Sequence, residues 1–118
     1  MAESPTTARI VLTTVASAGE ASRIGRVLVS ERLVACATMI PSVESIYEWQ
    51  GKTELATETL MLLKTDATRI KALEVRLHEL HSYETPEFLV LPVEAGSAGY
   101  LHWIQSVLAR PRESNCGL

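Results

Sequence analysis

The stretch His78-Glu79-Leu80-His81-Ser82-Tyr83-Glu84-Thr85-Pro86-Glu87 holds the densest group of side chains able to bind a metal ion. On a helix, His78 and His81 stand three residues apart, close enough to share a ligand, and Glu84 or Glu87 adds oxygen. The chemistry these residue types can support is metal-ion binding. A metal site usually takes three or four ligands, and this spacing matches no standard zinc motif. The same histidines also suit a helix C-terminus, where the negative end of the dipole favours them. Both readings stand at this stage.

Three other groups carry chemical potential. Cys36, in an apolar strand-like run, is a soft ligand by type and a small buried hydrophobe by setting. Cys116 lies in the polar segment Arg112-Glu113-Ser114-Asn115-Cys116-Gly117-Leu118, expected to be mobile. Two thiols so placed make no disulfide framework, and there is no Cys-x-x-Cys. Glu58, Leu60, Leu62 and Lys64 share one strand face by period two. A lysine there, with a carboxylate in reach, would bind a small anion in a cleft between subunits, or else snorkel at an edge. Tyr47 and Trp49 alternate on one face of an extended arm, and with Tyr83, Tyr100 and Trp103 are nearly all the aromatics. Packing between subunits is favoured over stacking on a nucleobase or small ligand, because no basic groove accompanies them. The chain has no Gly-x-Gly-x-x-Gly, no P-loop and no Gly-x-Ser-x-Gly, and nothing in it marks an enzyme.

These residues need a scaffold, and 118 residues allow one domain. Apolar residues make up 47% and charged residues 21%, the balance of a folded protein rather than a disordered one. A formal charge of −3 with scattered basic residues argues against nucleic-acid binding. No apolar run is long enough to span a bilayer, and the first seven residues lack the pattern of a signal peptide. The expectation is a cytoplasmic protein without a membrane partner.

Arg9 to Val15 reads as a first strand. Ser17-Ala18-Gly19-Glu20 has the spacing of a capping box, and the helix it opens should end near Leu33. Gly25 inside that helix points to close packing on a sheet. Ala35 to Gln50 is extended, with a bulge or bend at Pro41-Ser42. Gln50-Gly51-Lys52 is a turn, and Thr53 to Thr65 returns as a long strand, so part of the hairpin should project. Asp66 caps a helix to Leu80 with the stripe Ile70, Leu73, Leu77 and Leu80. Glu87 to Val93 is a fourth strand, and Ser97 caps a last helix that Pro111 stops.

The order is that of an α+β, ferredoxin-like (split βαβ) sandwich with a long second hairpin and an extra C-terminal helix. It implies a domain over residues 9–109, with flexible segments at 1–8 and 110–118. Ile10-Val11-Leu12, Leu60-Met61-Leu62-Leu63 and Phe88-Leu89-Val90-Leu91 are apolar without alternation. Two helices cover one sheet face only, and the last helix is too short for the other. Leaving the rest open is costly, so partner subunits are expected to cover it.

Four blocks carry a family resemblance: residues 31–41 (ERLVACATMIP), 45–52 (SIYEWQGK), 63–65 (LKT) and 81–87 (HSYETPE). Together they resemble the CutA family of divalent-cation-tolerance proteins, over about residues 9 to 109. The resemblance implies a ferredoxin-like fold, a homotrimer, a cytoplasmic location and an association with tolerance of copper and other divalent ions. Some members are held to coordinate copper through a first-strand Cys and two adjacent His. Here those positions read Thr13 and Leu80-His81, and Ser82 replaces a usual Pro. The resemblance therefore leaves His81 to bind Cu²⁺ or another divalent cation weakly, with Glu84, His78 or Cys36 completing the set and no cofactor required. Three readings follow: a non-catalytic, metal-responsive trimer; a trimeric small-ligand sensor with clefts lined by Tyr47, Trp49, Lys64 and Tyr83; or a structural scaffold.

Overall fold

The computed structural model describes residues 6–111. Cys116 and the rest of the segment 112–118 lie outside the described residues, as do residues 1–5. The elements are β1 (Ala8–Val15), α1 (Ala18–Ser30), β2 (Cys36–Trp49), β3 (Lys52–Asp66), α2 (Ile70–Leu80), β4 (Leu89–Pro92) and α3 (Ala98–Leu108). A 3₁₀ turn, Ala67–Arg69, leads into α2. The four strands form one antiparallel sheet in the order β2-β3-β1-β4, the arrangement of a split βαβ domain.

Local chemistry sets the element ends. The Ser17 hydroxyl accepts from the Glu20 N–H at 3.1 Å, half of the expected capping box. The other half does not form as expected, because the Glu20 carboxylate turns to Ser82 instead. α1 ends at Ser30 rather than near Leu33, where the chain reverses through Arg32 in left-handed backbone (φ 60°). Asp66 caps as expected, accepting from the Thr68 N–H at 3.0 Å, though the turn it caps is 3₁₀. Ser97 stands at the N-cap of α3, but its side chain makes no capping bond. Thr6 and Thr7, within the segment expected to precede the domain, are tied to it: the Thr6 hydroxyl donates to the Val93 carbonyl, and the Ala67 N–H to that of Thr7.

α1 and α2 cover one face. Val11, Val15, Met61 and Leu63 of the sheet meet Ile24 and Leu28 of α1 and Leu73 and Leu77 of α2, all without exposure. Gly25 belongs to this contact, since a Cβ there would stand 3.2 Å from that of Ala37. On the other face α3 packs Ile104, Val107 and Leu108 against Ala8 and Ala35. It covers one end of that face only.

β2 and β3 run past the end of β1, which pairs with β3 no further than Val15↔Thr59. Beyond that point the two strands form a ribbon that, among the described residues, pairs only with itself, out to Trp49↔Lys52. Gln50 (φ 52°) and Gly51 (φ 79°) close it, the double left-handed pair of a tight two-residue hairpin turn. The expected irregularity at Pro41-Ser42 is a bulge: pairing steps from Ile40↔Leu60 to Val43↔Glu58, with Ser42 at φ 61°.

One buried group has no counterpart. Thr13, fully buried on the helix-covered face, has a hydroxyl without a hydrogen-bond partner among the described residues. Thr13→Val keeps the shape and removes that polar atom, so it raises stability by about 1 kcal/mol in urea unfolding. An unchanged or lower midpoint would mean that the hydroxyl is satisfied in the folded protein.

Candidate functional site

Where α2 ends, several titratable groups meet. The helix closes at Leu80 and His81 follows in extended backbone, so His78 and His81 do not share a helix face as the spacing suggests. His81 is buried, and both ring nitrogens are engaged: Nδ1 with the Tyr83 N–H (3.0 Å), Nε2 with the Thr14 carbonyl (2.8 Å). The amide can only donate, so the neutral ring carries its proton on Nε2 and gives it to Thr14. His78 is exposed, with Nδ1 3.0 Å from the Glu74 carbonyl oxygen of its own helix.

Glu20 and Glu58 flank this loop. Glu20 accepts from the Ser82 N–H and hydroxyl, both at 3.0 Å, and lies 3.9 Å from His81 Nδ1. Burial resists its ionisation, but the two bonds from Ser82 outweigh that, with help from His81 and the Ala16 backbone, and hold its pKa below the usual carboxylate range. A depressed pKa gives stability that is complete above the unfolded value, 4.5, and is lost as pH falls through the folded one. Glu20→Gln should therefore lower stability at pH 7 and flatten its decline below pH 4.5, read by thermal unfolding across pH. A parallel pH profile in both proteins would remove Glu20 from the acid response.

Tyr83 reaches from the same loop to donate to Glu58 at 2.7 Å. Burial, then the hydrogen bond to and charge of Glu58, push the phenol pKa well up, with smaller contributions from Glu20 and Tyr47. Tyr83 is thus a fixed neutral donor, and Glu58, 8% exposed at the root of the ribbon, is held as its acceptor. Pairing across strands puts Tyr47, Trp49 and Glu58 on the side of the sheet that carries Leu60, Leu62 and Lys64.

The structure brings Tyr83 together with Glu58 and His81 and does not gather the other candidates into one site. Lys64 lies six residues along β3 from Glu58, about 20 Å at strand rise, so the expected lysine–carboxylate pairing is not formed. Cys36 is half-buried, opposite Lys64, while His81 is bound at Thr14 toward the other end of β1. Glu84 is exposed in the loop. Among the described residues, no three His, Cys, Asp or Glu side chains converge on one metal position. Sequence reasoning missed Glu20 as part of this group. Its capping spacing explained it locally, and nothing in the sequence signals a partner 62 residues away.

Open apolar surface is the other feature of this side. Leu89 (55% exposed) and Ile40 (46%) stand on the sheet itself, and Trp49 (57%) on the ribbon.

The chain's relatives agree with this architecture. The family model of the CutA1 divalent ion tolerance protein matches residues 9–107. The protein CutA of Mus musculus is 42% identical over 98 residues, covering 83% of this chain and 55% of the mouse protein. This chain thus spans only about half the length of that mammalian relative. The divalent-cation tolerance protein CutA of Pectobacterium atrosepticum is 41% identical over 99 residues, covering 84% of this chain and 90% of its own. The crystal structure of CutA from Xylella fastidiosa superposes with a TM-score of 0.85 at 39% identity, covering 87% and 99% of the two chains. On its motifs, its fold and these matches, the chain belongs to the CutA1 divalent ion tolerance family.

Proposed function

We propose that this protein acts in divalent-cation tolerance as a non-catalytic homotrimer, with the open sheet face and the ribbon buried between copies. One observation carries the reading: the strands are apolar on both faces, while α3 covers only one end of the second. Ile10, Leu12, Leu60 and Leu62 alternate onto that face, and Leu89 and Leu91 continue it on β4. Apolar surface buried at about 25 cal/mol per Å² favours closure by further copies. The trimer is the assembly that the sequence resemblance implies.

A cation enters this reading as a weakly held ligand, with copper favoured over zinc at an unspecialised site. His81 would have to give up a hydrogen bond to coordinate, and among the described residues it forms no three-ligand group with His78, Glu84 or Cys36. Side chains of neighbouring copies would then have to complete the set. A cytoplasmic location is part of the same proposal, and cell fractionation tests it.

Light scattering at micromolar concentration should give about three times the 12.9 kDa chain mass. Trp49→Ala should loosen the assembly, since truncating an interface tryptophan often costs about 2 kcal/mol or more. A monomeric wild type would overturn the reading. Subunit exchange unchanged by Trp49→Ala would take the ribbon out of the contact. Calorimetric titration with Cu²⁺ on wild type and His81→Ala tests the cation, and equal binding would move it away from His81.

A further inference from the structure

The apolar sheet face carries a cation at one end. Lys64 projects from β3 onto it, in register with Cys36 of β2 and Ile10 of β1. Its Nζ donates to the Thr38 hydroxyl at 3.2 Å and lies 5.8 Å from the centre of the Tyr100 ring. Cys36 Sγ is 3.6 Å from the same Thr38 oxygen. Tyr100 stands on α3, stacked on Trp103 at 5.5 Å between ring centres. The result is a cluster of side chains where β2, β3 and α3 meet, with the ammonium between a hydroxyl and a thiol on one side and an aromatic ring on the other. Among the described residues, no carboxylate pairs with Lys64.

An ammonium has three protons and no acceptor, and Thr38 takes one of them. The thiol and hydroxyl protons can also be donated. An aromatic face attracts the cation without neutralising it. Copies closing over the sheet face would strip water from Lys64, and a desolvated charge without a counter-charge is strongly unfavourable. Leu62 and Ile10 beside it offer no side-chain acceptor.

We propose that this cluster binds a small oxyanion, a carboxylate or a phosphate, at Lys64 Nζ with Thr38 and Cys36 as further donors. The proposal rests on the assembly reading for its desolvation argument and on the side-chain geometry for its site. The ligand would be held at the rim of the contact between copies, where β2 is the sheet edge.

The test is calorimetric titration of the full chain with inorganic phosphate and, separately, with succinate, on samples whose mass is measured by light scattering. Wild type should take up one oxyanion per chain, and Lys64→Met should bind at least about tenfold more weakly at unchanged oligomer mass. The ligand that gives heat identifies phosphate or carboxylate as the source. No uptake of either by assembled wild type overturns the site, as does equal binding in both proteins. Dissociation of Lys64→Met into monomers would assign the lysine to a carboxylate of a neighbouring copy, and overturns it too. A monomeric wild type would defeat the assembly reading alone, and Lys64-dependent binding by that monomer would keep the site.

Discussion

Arg69→Met should cost the folded chain about 3 kcal/mol, the loss seen when one member of a buried ion pair is removed. Asp66 keeps only 4% of its side chain exposed, and its Oδ2 accepts from Arg69 Nη1 at 2.8 Å. The same guanidinium donates from Nε to the Arg32 carbonyl at 3.1 Å and from Nη2 to that of Leu108 at 2.6 Å. Three segments therefore meet on one side chain: the end of β3, the left-handed reversal after α1, and the last turn of α3. Methionine keeps much of the stem and leaves a carboxylate and two carbonyls without these donors. Urea unfolding of Arg69→Met, Asp66→Asn and the double variant measures the coupling. A double variant no more stable than the sum of the single losses would show the pair to be uncoupled.

On the proposed assembly, Leu62→Glu should give monomers at micromolar concentration while each monomer stays folded. Leu62 lies near the middle of the open face, between Leu12 and Thr38 in the register. A carboxylate enclosed there loses its hydration, at a cost that exceeds what one interface leucine contributes. Lys64, two residues along the same strand face, offsets that cost only with ideal geometry. The helix-covered face of β3, with Met61 and Leu63, is untouched, so circular dichroism should keep its native form. Light scattering decides the matter. A trimer that survives Leu62→Glu would place the contact elsewhere, and the apolar face would need another cover.

Much of the fold was legible because its signals are local. The Gln50-Gly51 turn, the Pro41-Ser42 bulge, the Asp66 cap and the close packing at Gly25 each depend on a few adjacent residues and backbone sterics. The two-sided strands also showed in the sequence, since continuous apolar runs need no partner to be read. The site was less legible. His81 was singled out for its imidazole, yet its environment is made by the Thr14 carbonyl, 67 residues away in the chain. Glu58 and Lys64 share a face by period two, but period says nothing about reach along a strand. Glu20 looked like a cap and became an anchor for Ser82, a choice made by tertiary packing.

The bulge at Ser42 acts on the ribbon as a frameshift acts on a message. Before it, the even-numbered residues of β2 oppose the even-numbered residues of β3; after it, the odd ones do. One added residue thus reassigns every later side chain of β2 to the opposite side, and Tyr47 and Trp49 reach the apolar face only in the shifted frame. Without the bulge, a strand running regularly through Ser42 would set Ser42 opposite Glu58 and present Glu44, Ile46 and Glu48 where the aromatics now stand. Deleting Ser42, by contrast, would remove the extra residue and keep Val43 opposite Glu58. A single deletion in this strand should therefore be tolerated at the bulge and nowhere else along the ribbon. A substitution scan of the ribbon would never reveal that rule.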